Sequence, residues 1–140
     1  MAGGPGSTGF VPDNTAGSIA DDIRPAYYDV TLSTAGRTRL NNGGAIIDRL
    51  MIGASGAVLD IGENGYLASL IDTTVTAGEL NVDGRLDTFE MLLMGGLLSG
   101  KGVVDPTVLT SIMGSIAPGG VGQVGELTVI GDVVMTSGSR

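Results

Sequence analysis

A chain of 140 residues is one domain by length, and its apolar content, 42% hydrophobic but only 4% aromatic, is almost all Val, Ile, Leu, Met and Ala. Seven Lys plus Arg against fifteen Asp plus Glu give a net charge of -8, spread along the chain, which argues against nucleic acid or an anionic membrane as partner. With no cysteine and no histidine, disulfides, thiolate nucleophiles, Ser-His-Asp relays and Cys or His metal sites are excluded.

Residues 1–26 are rich in Gly, Pro, Ser, Asp and Asn, a composition that poorly offsets the entropy of ordering, and they are expected to form an extended linker or an N-terminal cap. The start, Met1-Ala2-Gly3-Gly4-Pro5-Gly6, has neither the basic nor the apolar region of a signal peptide, so an exported parent would make this chain an internal piece. From Tyr27 the texture changes to short alternating apolar stretches separated by Gly, Asn or Asp: 28–32, 45–52, 57–61, 66–75, 79–82, 89–98, 103–112 and 127–135. Glycine weakens helix interiors and β-branched residues suit pleated strands, so many short strands joined by tight turns are predicted. Residues 87–94 and 106–113 could instead form a turn or two of helix; strand or coil is the favoured reading of both. The longest nearly apolar run, 91–98, falls far short of the roughly 20 residues that span a bilayer, so no membrane insertion of this segment is expected.

Internal repetition is the most informative feature. Gly78-Glu79-Leu80-Asn81-Val82-Asp83-Gly84 and Gly125-Glu126-Leu127-Thr128-Val129-Ile130-Gly131 agree at five positions and start 47 residues apart, at 78 and 125. Looser copies start at 56, 96 and 114, and together with the start at 78 they follow one another at intervals of 22, 18 and 18, the length of one solenoid coil. A five-residue strand with one apolar face cannot bury that face alone, so successive coils must stack around a shared core. Leu80, Val82, Leu127 and Val129 are predicted to point inward in ladders, with Glu79 and Glu126 outside.

The last 60 residues, 81–140, carry Gly96-Leu97-Leu98-Ser99-Gly100-Lys101-Gly102-Val103-Val104, then Val108-Leu109-Thr110, Gly114-Ser115-Ile116-Ala117-Pro118-Gly119 and Gly125-Glu126-Leu127-Thr128-Val129-Ile130-Gly131. In order and spacing this resembles the strand repeat of bacterial autotransporter passenger domains. Residues 27–82 share its texture only. The resemblance implies an all-β, single-stranded right-handed parallel β-helix, of about 5–6 rungs over residues 27–140. It also implies export to the cell surface, and as partners the rest of the parent passenger and its outer-membrane β-barrel translocator. The implied role is a non-catalytic stalk or spacer, and a folding seed for the remainder. An adhesin or polysaccharide-binding module is the alternative, with Phe10, Tyr27, Tyr28, Tyr66 and Phe89 as its aromatic resources. A β-helical carbohydrate-active enzyme stands behind both. Self-association through open β-helix ends is expected unless residues 1–26 and the C-terminal strand fold back over them.

Motifs that could carry chemistry are thin, and no catalytic, cofactor-binding or metal residue is assigned. The stretch from Gly95 to Lys101 has P-loop spacing, but Gly102 stands where Ser or Thr should hold magnesium and no helix start follows. Gly4-Pro5-Gly6-Ser7-Thr8-Gly9 and Gly120-Val121-Gly122-Gln123-Val124-Gly125 spell the dinucleotide fingerprint without its strand or its helix. Ser99 with Lys101 is a conceivable dyad in a Gly-rich turn. Asp60, Glu63, Asp83, Asp87 and Asp105 are candidate acids of an outer face, and turnover lost on replacing Asp83 and Asp87 by Asn would promote the enzyme reading; the favoured reading is solvated charges that keep a flat stack soluble. Asp60-x-Gly62-x-Asn64 and Asn81-x-Asp83 offer too few oxygens for calcium.

Overall fold

Leu59, Leu80, Leu98 and Ile116 stand one above another on four consecutive coils, and that column sets the plan of the molecule. The computed structural model describes residues 13–140; the Gly4 to Gly9 pattern, Phe10 and the first twelve residues of the 1–26 segment lie outside that range. The described chain is an all-β solenoid of about five coils, with ten strands and no helix. In order they are β1 (Asp29–Leu32), β2 (Gly36–Ile52), β3 (Ala57–Val75), β4 (Glu79–Val82), β5 (Arg85–Leu93), β6 (Leu97–Gly100), β7 (Val103–Ser111), β8 (Ser115–Pro118), β9 (Thr128–Val129) and β10 (Asp132–Met135).

Every strand pairing is parallel. Each coil buries alternate residues on three strand segments, as the two-residue period of a pleated strand requires. The first column is the leucine stack above. The second runs Ala45, Leu67, Leu86, Val104, Val129. The third runs Val30, Leu50, Thr73, Met91, Leu109, Val133, with Leu32, Ile52, Val75, Leu93, Ser111, Met135 two residues on. Leu80, Val82, Leu86, Leu93, Leu98, Val104 and Leu109 are fully buried. A coil has no core of its own; its aliphatic side chains leave water only against the coils on either side.

Polar groups inside this stack are accounted for. Thr73 Oγ1 lies 3.2 Å from Thr88 Oγ1, which in turn donates to the Glu90 carbonyl at 3.0 Å, and Ser111 Oγ reaches the Gly114 carbonyl at 3.4 Å. Among the described residues no buried side-chain nitrogen or oxygen lacks a partner.

Two glycines show why the corners need that residue. Gly96 has φ +71°, and a Cβ there would lie 2.7 Å from the Gly78 carbonyl oxygen on the coil below. Gly100, at φ +115°, would drive a Cβ into the Val82 backbone. This column, Gly78, Gly96 and Gly114, is spaced 18 residues apart, as the repeat implies.

The structure refines several expectations. Residues 87–93 and 106–111 are strand, within β5 and β7, because their alternate residues fill the third column, and 94, 112 and 113 lie in the corners that follow. The stretches 57–61 and 66–75 are one bent strand, β3, whereas 89–98 is broken by a corner between Leu93 and Leu97. Gly56 is one residue out of step with the glycine column, since Val58 pairs with Glu79. The two copies that start 47 residues apart occupy different faces: Leu80 belongs to the first column, while Val129 tops the second, paired through Val104. Leu127 and Val129 still pack against the core, partly buried on the last coil. The shift of face comes from residues 119–127, which lengthen the last coil so that Val103 pairs with Thr128. An earlier irregularity, the bulge in which Leu70 and Ile71 oppose the single residue Phe89, precedes both copies.

Residues 13–28 dock on the first full coil. The Asn14 amide donates to the Ile46 carbonyl at 2.6 Å, the Ile46 amide to Asp13 Oδ1 at 2.7 Å, and the Tyr28 amide to Asn14 Oδ1 at 3.0 Å. At the far end, the Ile116 amide donates to the Arg140 carbonyl at 2.7 Å, so the chain's last residue follows the path of a further coil.

Candidate functional site

The outer face formed by β3, β5 and β7 holds polar and aromatic side chains brought together by register rather than by sequence. Strand alternation that sends Leu67, Leu86 and Val104 inward turns Tyr66 and Ala68, Arg85 and Asp87, and Val103 and Asp105 outward. The corner that follows adds Leu70, Phe89 and Thr107. Tyr66, Ala68, Leu70, Asp87, Phe89, Asp105 and Thr107 line an open groove of about 390 Å³. Ala68, whose methyl is flush with the sheet, makes the depression between its larger neighbours.

The polar groups are tied to one another. Tyr66 Oη donates to Asp87 Oδ2 at 3.0 Å, and Arg85 Nε donates to Asp87 Oδ1 at 2.7 Å. Arg85 Nη2 also pairs with Asp105 Oδ2 on the next coil. One guanidinium therefore bridges two carboxylates stacked in register, which offsets the repulsion that like charges directly opposite would exert. Burial, then the hydrogen bond to Asp87, then the charge of Asp87 hold the Tyr66 phenol above its ordinary 10.0, with Arg85 opposing.

The other acids expected from sequence are dispersed. Asp60 is claimed by Arg37 and by Arg39, the latter at 3.5 Å. Glu63 pairs with Lys101 Nζ at 3.1 Å, and this contact, with Glu63 and Asp83 charges beside it, raises the Lys101 ammonium pKa. Asp83 sits in the corner before β5, accepting from Asn81 Nδ2 and from the Lys101 amide, both at 3.2 Å. Asp83 and Asp87, the two acids a carbohydrate-active enzyme would call on, are thus held by different partners, and Asp87 stands in register with Asp105, 18 residues on. Ser99 Oγ lies 2.6 Å from Glu79 Oε1 and 3.1 Å from Asn81 Oδ1, and the Lys101 ammonium turns to Glu63, so the two form no dyad. The P-loop spacing at 95–101 runs into strand β6, and Gly120 to Gly125 form a turn before strand β9; neither offers a helix N-terminus to a phosphate. Among the described residues no group of three or more His, Cys, Asp or Glu is placed to hold a metal ion.

Ala68, Leu70 and Thr107, which line the groove, and Arg85, which holds two of its carboxylates, are residues that reading the sequence did not single out. Their signal was the coil spacing itself: 19 residues carry Tyr66 to Arg85, and 18 carry Asp87 to Asp105, but only once the corner insertions are known. No protein-family model, no curated protein and no solved structure matches the chain.

Proposed function

We propose that this chain is a structural spacer from the passenger of a bacterial autotransporter, a rod that holds neighbouring parts of an exported protein away from the cell surface. The observation that carries the reading is the continuous core. Three largely aliphatic columns, with Thr73 and Ser111 as polar members of the third, span a solenoid of about five coils, and at about 4.8 Å per coil the stack is roughly 25 Å tall. Such a stack grows along one axis by adding coils of the same kind, each needing only its neighbours, which is the mechanical requirement of a stalk. The repeat at 81–140, similar to passenger strand repeats, supports the same origin.

The outer charges fit that role. Arg37 with Asp60, Arg49 with Asp72, and Arg85 with Asp105 each link adjacent coils and keep a long flat surface solvated. A second role follows from the same geometry. Each finished coil presents a ready-made edge and apolar floor for the next, so these coils can template the folding of those around them during export through the translocator. The test is deletion of residues 78–135 from the parent protein. Loss of folded passenger at the cell surface is expected, and normal display would refute both roles.

A further inference from the structure

We propose that the groove across β3, β5 and β7 binds a neutral polysaccharide lying along the solenoid axis. This reading does not depend on the spacer role.

The apolar contribution comes first. Phe89 is 63% exposed and Leu70 54%, neighbours at the corner of adjacent coils, and two of the chain's five aromatic residues, Tyr66 and Phe89, line this groove. A ring held into water beside ion pairs is matched chemically by the C–H faces of pyranose rings, which stack on aromatics.

The polar contribution sits across a small floor from it. Both oxygens of Asp87 are already engaged, one by Tyr66 and one by Arg85, which fixes its position. Asp105 gives one oxygen to Arg85, and its other oxygen has no protein partner among the described residues. A carboxylate held in this way accepts a hydrogen bond from a sugar hydroxyl without losing side-chain freedom on binding, and charge-assisted bonds of this kind are the strong ones. The Thr107 hydroxyl lines the groove one residue beyond.

Charge and spacing choose the ligand class. Asp87, Asp105 and Arg85 leave one net negative charge in a chain of net -8, so uronates and sulfated glycans are repelled. Adjacent coils lie about 4.8 Å apart, close to the length of one pyranose unit, so a chain running along the axis meets Tyr66, Asp87 and Asp105 on successive sugars. Ala68 gives the ring facing β3 room to approach the sheet.

The test is calorimetric titration of the purified chain with neutral cello-, xylo- and galacto-oligosaccharides and with oligogalacturonate. Saturable binding of at least one neutral oligosaccharide is expected, weakened about tenfold by Phe89→Ala and by Asp105→Asn, with no binding of oligogalacturonate. Phe89 lies outside the core, so its truncation leaves the fold intact, verified by an unchanged circular dichroism spectrum and melting temperature. Absence of saturable binding to every neutral oligosaccharide, binding unaltered by Phe89→Ala, or preference for oligogalacturonate would each overturn the proposal.

Discussion

Asp87 and Asp105 occupy the same position on successive coils, two carboxylates stacked in register on the outer face, with Arg85 donating to both. Replacing Arg85 by Met leaves the stacked charges uncompensated. Because all three side chains are partly solvated, a loss of only about 1 kcal/mol in urea unfolding is expected. Adding Asp105→Asn to that variant should recover most of it, and failure to recover would show that Arg85 acts through packing of its stem.

Leu98 lies between Leu80 and Ile116 in the first column and is fully buried. Leu98→Ala should cost about 2–5 kcal/mol, because rigid coils above and below cannot collapse into the void. Phe89→Ala, on the outer corner, should stay within about 0.5 kcal/mol of the parent. Equal effects in urea titrations would contradict the assignment of inside and outside.

Gly43 and Gly100 separate two reasons for glycine. Both have positive φ, +79° and +115°, but space around Gly43 is open, whereas a Cβ at Gly100 would meet the Val82 backbone. Gly43→Ala should therefore cost about 1 kcal/mol from conformation alone, and Gly100→Ala clearly more. Thermal melting of the two variants would distinguish these effects.

Tyr66 links stability to high pH. Its phenol ionises above the ordinary 10.0 in the folded chain, so the folded state holds that proton more tightly than the unfolded one. The contribution is fully present below pH 10 and is lost as the pH rises through the folded-state value. In a tyrosinate absorbance titration, the transition absent from Tyr66→Phe should be the one displaced upward. A displaced transition that survives in that variant would refute the assignment to Tyr66.

The last coil leaves apolar groups half exposed: Val133, Val134 and Met135 on β10, a strand that pairs with β7 alone. Head-to-tail stacking in register would set Asp132 against Asp29, because both stand in one outward column at opposite ends of the molecule. Residues 13–28 also cover part of the first coil. Association is therefore expected tail to tail, stopping at dimers, and weakened by Val134→Lys. Sedimentation velocity across concentration would measure it; fibres growing without limit would contradict this geometry.

How far the sequence could be read varies from residue to residue. Glu79 to Val82 was legible to the residue, because its alternation is bracketed by Gly78 and Gly84 and its coil spacing is regular. Residues 87–94 were ambiguous, since Phe89, Leu92 and Leu93 suit one face of a short helix as well as a strand; contact with the coils on both sides decided it. The similarity of Leu80 to Leu127 was real as local pattern and misleading as position, for the two lie on different faces.

Local chemistry thus determined that the chain would wind. Glycines at positive φ set the corners, and a two-residue apolar period gave every strand an inner face that no single coil could bury. Which side chains meet on the outside was decided only by the tertiary structure. Contacts between coils are non-local, and their register depends on corner lengths, such as the extra residue at Leu70 and Ile71 and the long turn at 119–127, which alternation within a strand does not encode. The meeting of Tyr66, Arg85, Asp87 and Asp105 is a product of that register.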